Sequence, residues 1–349
     1  MTFWAPLALT TVTGGMVSLT LAPAIREVLQ RKDAEPLPVR RDDGKIGNFA
    51  RSFRHYIAPL QSAFMRSIAD GSIVEAELPN GESALLVGQG GEHTINGKKS
   101  ERLVLFGRQT RLHDELFFVQ DVYAADVLEA GKKNIFRALL GEGDIFLDEE
   151  SQVLRWLHAE GRLLAGCNTH LYGRCSANKL IYLASGCRFE RVHAPVILTG
   201  LHINSFHEAP EWRATEPVTP KRSHGRSRIH GRLHLGAREM FLGDIVATGA
   251  IRIEKGSRIV GSAKGNGDVD LCEQVRIDGS VISSGTLRVG AHCFLKGPVL
   301  AEKEIVLGAG TRIGTPNSPT TINAPIIRIA PECVIHGTLW ARNEGRVEA

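Results

Sequence analysis

The sequence predicts an all-β chain: a single-stranded β-helix solenoid built of eighteen-residue coils, preceded by an N-terminal transmembrane helix. Three observations predict it. Gly243, Gly261, Gly279 and Gly297 recur every eighteen residues between Phe241 and Arg312. Apolar pairs keep the same phase, at Ile251/Ile253, Val269/Leu271, Leu287/Val289 and Ile305/Leu307. Residues Thr2 to Ile25 contain no charged side chain, which is long enough for a helix to span a bilayer. Brief alternating pairs parted by glycine corners describe short strands, and a return every eighteen residues describes one turn of a solenoid. The 37 glycines among 349 residues exceed the usual share of roughly 7%, as a chain that turns a corner every few residues requires.

The elements follow in order. Residues 1–25 form the expected anchor, with Trp4, Leu7, Leu9, Met16, Leu19 and Leu21 facing lipid. Ala22-Pro23-Ala24 also resembles a signal-peptidase site, but no Lys or Arg precedes the apolar run as a signal peptide demands. Arg26, Arg31, Lys32, Arg40 and Arg41 all follow the span, so the positive-inside rule puts the bulk of the chain in the cytoplasm, single-pass, with its N-terminus outside. These cations are also candidates to contact anionic lipid. The net charge of +4 is concentrated in this juxtamembrane stretch, and no nucleic-acid motif accompanies it, so no nucleic-acid partner is expected.

Residues 26–70 read as a basic linker followed by an amphipathic helix over Asn48 to Ala69, with Phe49, Phe53, Ile57, Leu60 and Phe64 on one face and Pro59 dividing it. That helix either lies on lipid through Arg51, Arg54 and Arg66 or packs on the next domain. Residues 71–122 alternate irregularly around Asn80-Gly81 and Asn96-Gly97 and read as a small hairpin-rich leading segment. The eighteen-residue phase first appears over 123–203, in Ile145/Leu147, Leu163/Ala165 and Ile181/Leu183, each followed by Val153, Leu171 or Phe189. Residues 204–226, with Pro210, Pro217 and Pro220, read as an insertion loop. A second block occupies 227–342, interrupted briefly after Gly314, and 343–349 reads as a polar, frayed tail.

Leu242-Gly243-Asp244-Ile245-Val246-Ala247, Ile277-Asp278-Gly279-Ser280-Val281-Ile282 and Ile335-His336-Gly337-Thr338-Leu339 resemble the repeat of bactofilins, the polymer-forming bacterial cytoskeletal proteins. The resemblance is clearest over Phe241 to Arg342 and looser over Gly141 to Pro195, about half of the chain. It implies a triangular right-handed β-helix that assembles end to end into filaments without a nucleotide or other cofactor. It also implies an inner-membrane scaffold whose partners are envelope or morphogenesis proteins. This chain departs from the pattern in having two repeat blocks, a long insertion and an extra β segment.

Assembly has a physical basis of its own, because the terminal coils of a β-helix present unpaired strand edges. The edge near Thr338 to Ala341 carries Leu339 and Trp340 with no capping helix in view, and is the expected self-association edge of a homo-oligomer or filament.

The alternative function is enzymatic, since left-handed hexapeptide acyltransferases also turn every eighteen residues and use a histidine. Period alone does not decide handedness, and His158, His170, His193, His202 and His207 are available. A three-histidine metal site would need ligands converging from adjacent coils, whereas His170 lies out of phase with His158 and His193. No catalytic or metal-ligating set is therefore assigned. Cys187, Cys293 and Cys333 fall at equivalent inward coil positions and read as core packing, while Cys167, Cys175 and Cys272 show no C-x-x-C spacing. Gly88-Gln89-Gly90-Gly91 lacks the Lys-Ser/Thr of a phosphate loop.

Overall fold

Equal spacing in sequence becomes hydrogen bonding in space. Ile251 pairs with Val269, Val269 with Leu287 and Leu287 with Ile305, all in parallel. In the first block Ile145, Leu163 and Ile181 form the same ladder. The result is a β-solenoid of about 13 turns, with 52% of the described residues in strands. The computed structural model describes Trp4, Ala8, Thr11–Met16, Leu21, Ala22 and residues 48–93, 96–200, 219–221 and 225–348. Two units are distinguished, Met1–Lys45 and Ile46–Ala349, and the second is the solenoid.

One wall of the solenoid is a continuous sheet. Its strands in chain order are β1 (Ile73–Glu77), β2 (Ser83–Val87), β3 (Leu103–Phe106), β4 (Val122–Ala124), β5 (Ile135–Gly141), β6 (Gln152–Ala159), β7 (His170–Ala177) and β8 (Arg188–Thr199). The second block adds β9 (Arg226–Ile229), β10 (Asp244–Ala247), β11 (Ala263–Gly265), β12 (Val281–Ser283), β13 (Val299–Ala301), β14 (Thr320–Ile329) and β15 (Val334–Val347). From β2 to β8 neighbours pair in parallel, as they do from β9 to β15, while β1 pairs antiparallel to β2. The two halves join where β8 pairs antiparallel to β15, with Val192 opposite Leu339 and Arg191 opposite Trp340. Both blocks thus meet at their C-terminal coils, and the start of each lies at an outer end.

This junction corrects three expectations. The edge at Leu339 and Trp340 is not open, because β8 covers it on one side and β14 on the other. The tail at 343–349 is not frayed through residue 347: Gly345 sits against the Phe189 ring, and Val347 pairs with Ile329 and is fully buried. The second block also begins inside the expected insertion, at the strand Thr219–Lys221, which pairs with Glu239–Leu242.

The leading segment is corrected as well. Only β1 and β2 form a hairpin, and Ser83 onward already coils in parallel register. Its period is not regular in the sequence, because Leu85 pairs with Val104, nineteen residues on, while Val122 pairs with Leu139, seventeen on. Val104 pairs with Val122, eighteen on, between them, so the offsets cancel only over three turns and hide the period. The interruption after Gly314 acts likewise, since Ile305 pairs with Ile327 and Ile313 with Ile335.

Inward side chains fill a single core running through both blocks, including Val153, Leu171, Phe189, Ile251, Val269, Leu287 and Ile305. Each buried Val, Leu or Ile stabilises by roughly 1.5–3 kcal/mol relative to exposure, and stacking supplies the cover that a lone coil lacks. At the glycine corner little else fits. A Cβ on Gly279 would lie 2.6 Å from the Gly261 carbonyl oxygen, and Gly243 has φ +117 with the Gly225 carbonyl directly against it. The cysteines read as packing behave so, with Cys187, Cys293 and Cys333 buried and unbridged.

The amphipathic stretch forms α1 (Asn48–Ile57) and α2 (Gln61–Asp70), joined by a single 3-10 turn that contains Pro59. Its apolar stripe of Phe53, Ile57, Leu60 and Phe64 packs on the outward residues Leu86, Leu103, Leu105 and Leu140 of the long sheet. Of its two readings, the packed one describes the structure. In the N-terminal unit Trp4, Met16 and Leu21 are helical and exposed. Leu7, Leu9 and Leu19, and the cations Arg26, Arg31, Lys32, Arg40 and Arg41, lie outside the described residues. Among the described residues no helix is long and apolar enough to cross a membrane.

Candidate functional site

Alternation along a strand sends every second side chain outward, and parallel stacking turns each outward position into a column along the rod. Two columns on the long sheet carry its chemistry. The first passes through Tyr123, Leu140, His158, Ser176, His193 and Thr338. The second passes through Ala138, Trp156, Arg174, Arg191 and Trp340. The helical pair α1–α2 covers the beginning of this wall, and the columns emerge beyond it.

An ion cluster marks where the cover ends. Arg54 on α1 donates from Nε and Nη2 to the two oxygens of Glu142, each at 2.7 Å, and also reaches Glu160. Tyr123 donates its hydroxyl to Glu142 at 3.2 Å, and Asn178 donates to Glu160. The hydrogen bond to Glu142 is the main cause that raises the Arg54 pKa. Burial alone would lift the Glu160 carboxyl, but the bond and charge of Arg54 outweigh it and hold that carboxyl below the usual range.

The histidines distribute themselves along the wall. His158 is buried, with Nδ1 2.8 Å from the Ser176 hydroxyl and Nε2 3.4 Å from Glu160. His193 Nδ1 lies 2.8 Å from the Thr338 hydroxyl. Burial lowers both pKa values, against the pull of Glu160 at His158 and together with Arg191 at His193, so both imidazoles are neutral near pH 7. His158 and His193 therefore share one column but are separated by Ser176. His170 starts β7 and packs edge-on to Tyr172. His202 and His207 lie outside the described residues. Among the described residues no three His, Cys, Asp or Glu side chains are grouped to hold a metal.

Comparisons with protein-family models, curated proteins and solved structures all return nothing.

Concave surface is found on a neighbouring wall. A hollow of about 870 Å³ is lined by Arg111, His113, Asp114, Glu129, Phe146 and Asp148, among others. Arg111 and Glu129 close part of it with an ion pair of 2.7 Å. Lys98 pairs with Glu115 along the stack, and Asp114 and Asp148 accept backbone N–H groups, so these charges serve the coils rather than converge on a point.

The outer ends hold the features that sequence reasoning placed elsewhere. Among the described residues β1 pairs only with β2, and β9 only with β10. The strand Leu233–Leu235 pairs only with Ile251–Ile253. At the β1 end Ile73, Val74, Glu75 and Glu77 are exposed, and Glu75 meets Arg102 at 2.5 Å. At the β9 end Arg226, Arg228, His230, Arg232 and His234 are all exposed. The signal was present in the basic run itself, but its meaning depended on which coil is terminal.

Proposed function

We propose that this chain is a bactofilin-like structural scaffold that self-associates through the ends of its β-helix and organises envelope or cell-shape machinery. In this reading Thr2–Ile25 anchors it in the bacterial inner membrane with the bulk of the chain cytoplasmic. One observation carries the proposal: a single sheet runs the length of the solenoid and finishes, among the described residues, in strands β1 and β9 that are each paired on one side. Such edges are templates for another strand.

The charges favour unlike ends meeting. Two β9 ends brought together would set Arg226 and Arg228 against their own copies, whereas β1 offers Glu75 and Glu77. Strand directions agree with this. β1 runs opposite to β2, and the reversal at β8–β15 makes β9 run opposite to β2 as well. A second copy shifted along the axis therefore brings β1 beside β9 in parallel. A contact between unlike surfaces propagates rather than closes unless its rotation forms a ring. The glutamates also blunt β1 against indiscriminate pairing, so the contact should be selective and weakened by salt.

The test is a charge exchange. Electron microscopy and light scattering of the full chain should show elongated assemblies that shorten at high salt. Glu75→Lys/Glu77→Lys and Arg226→Glu/Arg228→Glu should each stay as single particles, and an equimolar mixture of the two should assemble again. Wild-type particles that remain single over all concentrations, or exchanged variants that polymerise as well as wild type, would sink the proposal. Salt extraction of cell membranes tests the anchor, because release by salt alone would contradict a spanning helix.

A further inference from the structure

Five planar groups lie along the outer face of the long sheet in two neighbouring stacks. Phe49 lies on Trp156 with ring centroids 5.8 Å apart, and the Arg174 guanidinium lies 5.0 Å from the Trp156 ring. Arg191 is the cross-strand neighbour of Arg174 and lies 4.8 Å from the Trp340 ring. The stack crosses the junction, since Arg191 belongs to β8 and Trp340 to β15.

Two like charges on adjacent strands repel, and neither guanidinium has a carboxylate partner among the described residues. Arg191 Nε is moreover buried with no acceptor. Burial and the charge of Arg174 both lower its pKa, the mark of a cation held without its counter-ion. The acids nearby are engaged elsewhere: Glu190 accepts the Gly173 backbone N–H at 3.0 Å, and Glu344 faces Arg188 at 3.7 Å. Trp340 beside Arg191 is 41% exposed, and Leu154 and Tyr172 nearby in the chain are 40% and 38% exposed. Leu154 and Tyr172 occupy the bends just before Trp156 and Arg174.

We propose that this strip docks an extended acidic segment of a partner protein, one carboxylate bridging Arg174 and Arg191 while apolar neighbours cover Trp340, Tyr172 and Leu154. A guanidinium fork matches a carboxylate bidentately. Tryptophan, tyrosine and arginine around a desolvated centre make up the composition of binding hot spots. Glu190 and Glu344 at the margin oppose a bilayer or a nucleic acid, whose phosphates would press on them along with the arginines. The site is lateral and does not depend on whether the ends assemble.

A fluorescein-labelled glutamate decamer is the probe, titrated by anisotropy into the full chain at low and moderate salt. Arg174→Gln and Arg191→Gln should each weaken binding tenfold or more, Trp340→Ala about threefold to tenfold, and Arg228→Gln at the basic end should leave it near wild type. Arg174→Lys keeps the charge but loses the fork and should fall between. Arg174 is exposed, so its variants keep the test open if the Arg191 variant does not fold, which circular dichroism reports. Binding unchanged in both Arg174 variants, or lost only in Arg228→Gln, overturns the site. Competition by inorganic phosphate but not by free glutamate decamer, or arginine-dependent binding to phosphatidylglycerol vesicles without peptide binding, would overturn the choice of ligand.

Discussion

A left-handed residue turns one corner of nearly every coil. Glu115, Lys133, Glu150, Asn168 and Gly186 in the first half, and Arg238, Gly256, Gln274, His292 and Gly310 in the second, all have positive φ between 56° and 77°. An L side chain in that region costs roughly 1–2 kcal/mol, while glycine there loses extra chain entropy of about 0.5–1 kcal/mol on folding. The balance favours glycine slightly. Gln274 lies between Gly256 and Gly310 in the same corner column, so Gln274→Gly should stabilise by about 0.5–1 kcal/mol, readable as a rise in thermal midpoint. A fall of the midpoint would mean that the glutamine side chain contributes more than its backbone costs. This corner was not legible in the sequence, because glutamate, lysine, asparagine, glutamine and histidine share no side-chain signature there. The Gly243 corner was legible, because the preceding coil leaves no space for a Cβ.

Among the elements, the helical pair was read correctly and its role decided only by contacts. Apolar spacing and Pro59 gave the two helices, but lipid and protein offer the same apolar stripe a surface, and the outward leucines of the sheet are what it meets. Arg54 ties the pair to the sheet through Glu142 and Glu160. Its side chain is 39% exposed, so solvent screens much of that attraction. The larger effect of Arg54→Ala should be local: two carboxylates left facing each other beneath α1, and a helical pair that lifts from the sheet more often. Hydrogen exchange should quicken over Asn48–Asp70, with β6 and β7 still protected. Equal acceleration along the whole solenoid would show instead that the cluster supports the fold generally. In the same way the strand period was legible where successive coils are all eighteen residues long, and lost where a turn of nineteen and a turn of seventeen interrupt the run.

At the scale of the molecule, the position of the C-terminal strand decides which edges stay open. Coil order in the sequence places β15 last and therefore outermost, which is why Leu339 and Trp340 read as an exposed edge. A second block that runs back toward the first reverses that conclusion, and nothing in a local pattern encodes the reversal. In space β15 is a wedge between β8 and β14, with Leu339 completely buried opposite Val192. Removing residues 332–349 would uncover both flanking strands at once, along with the core beneath Ile335, Leu339 and Val347. Unpaired, apolar edges of that kind associate indiscriminately, unlike the charged ends at β1 and β9. The truncated chain should thus form irregular, salt-resistant aggregates, whereas assemblies of the intact chain should dissolve as ionic strength rises. Light scattering across a salt series separates the two cases. A truncated chain that stays a single particle would mean that the blocks close their inner edges without β15, and that the junction is not what holds the two halves together.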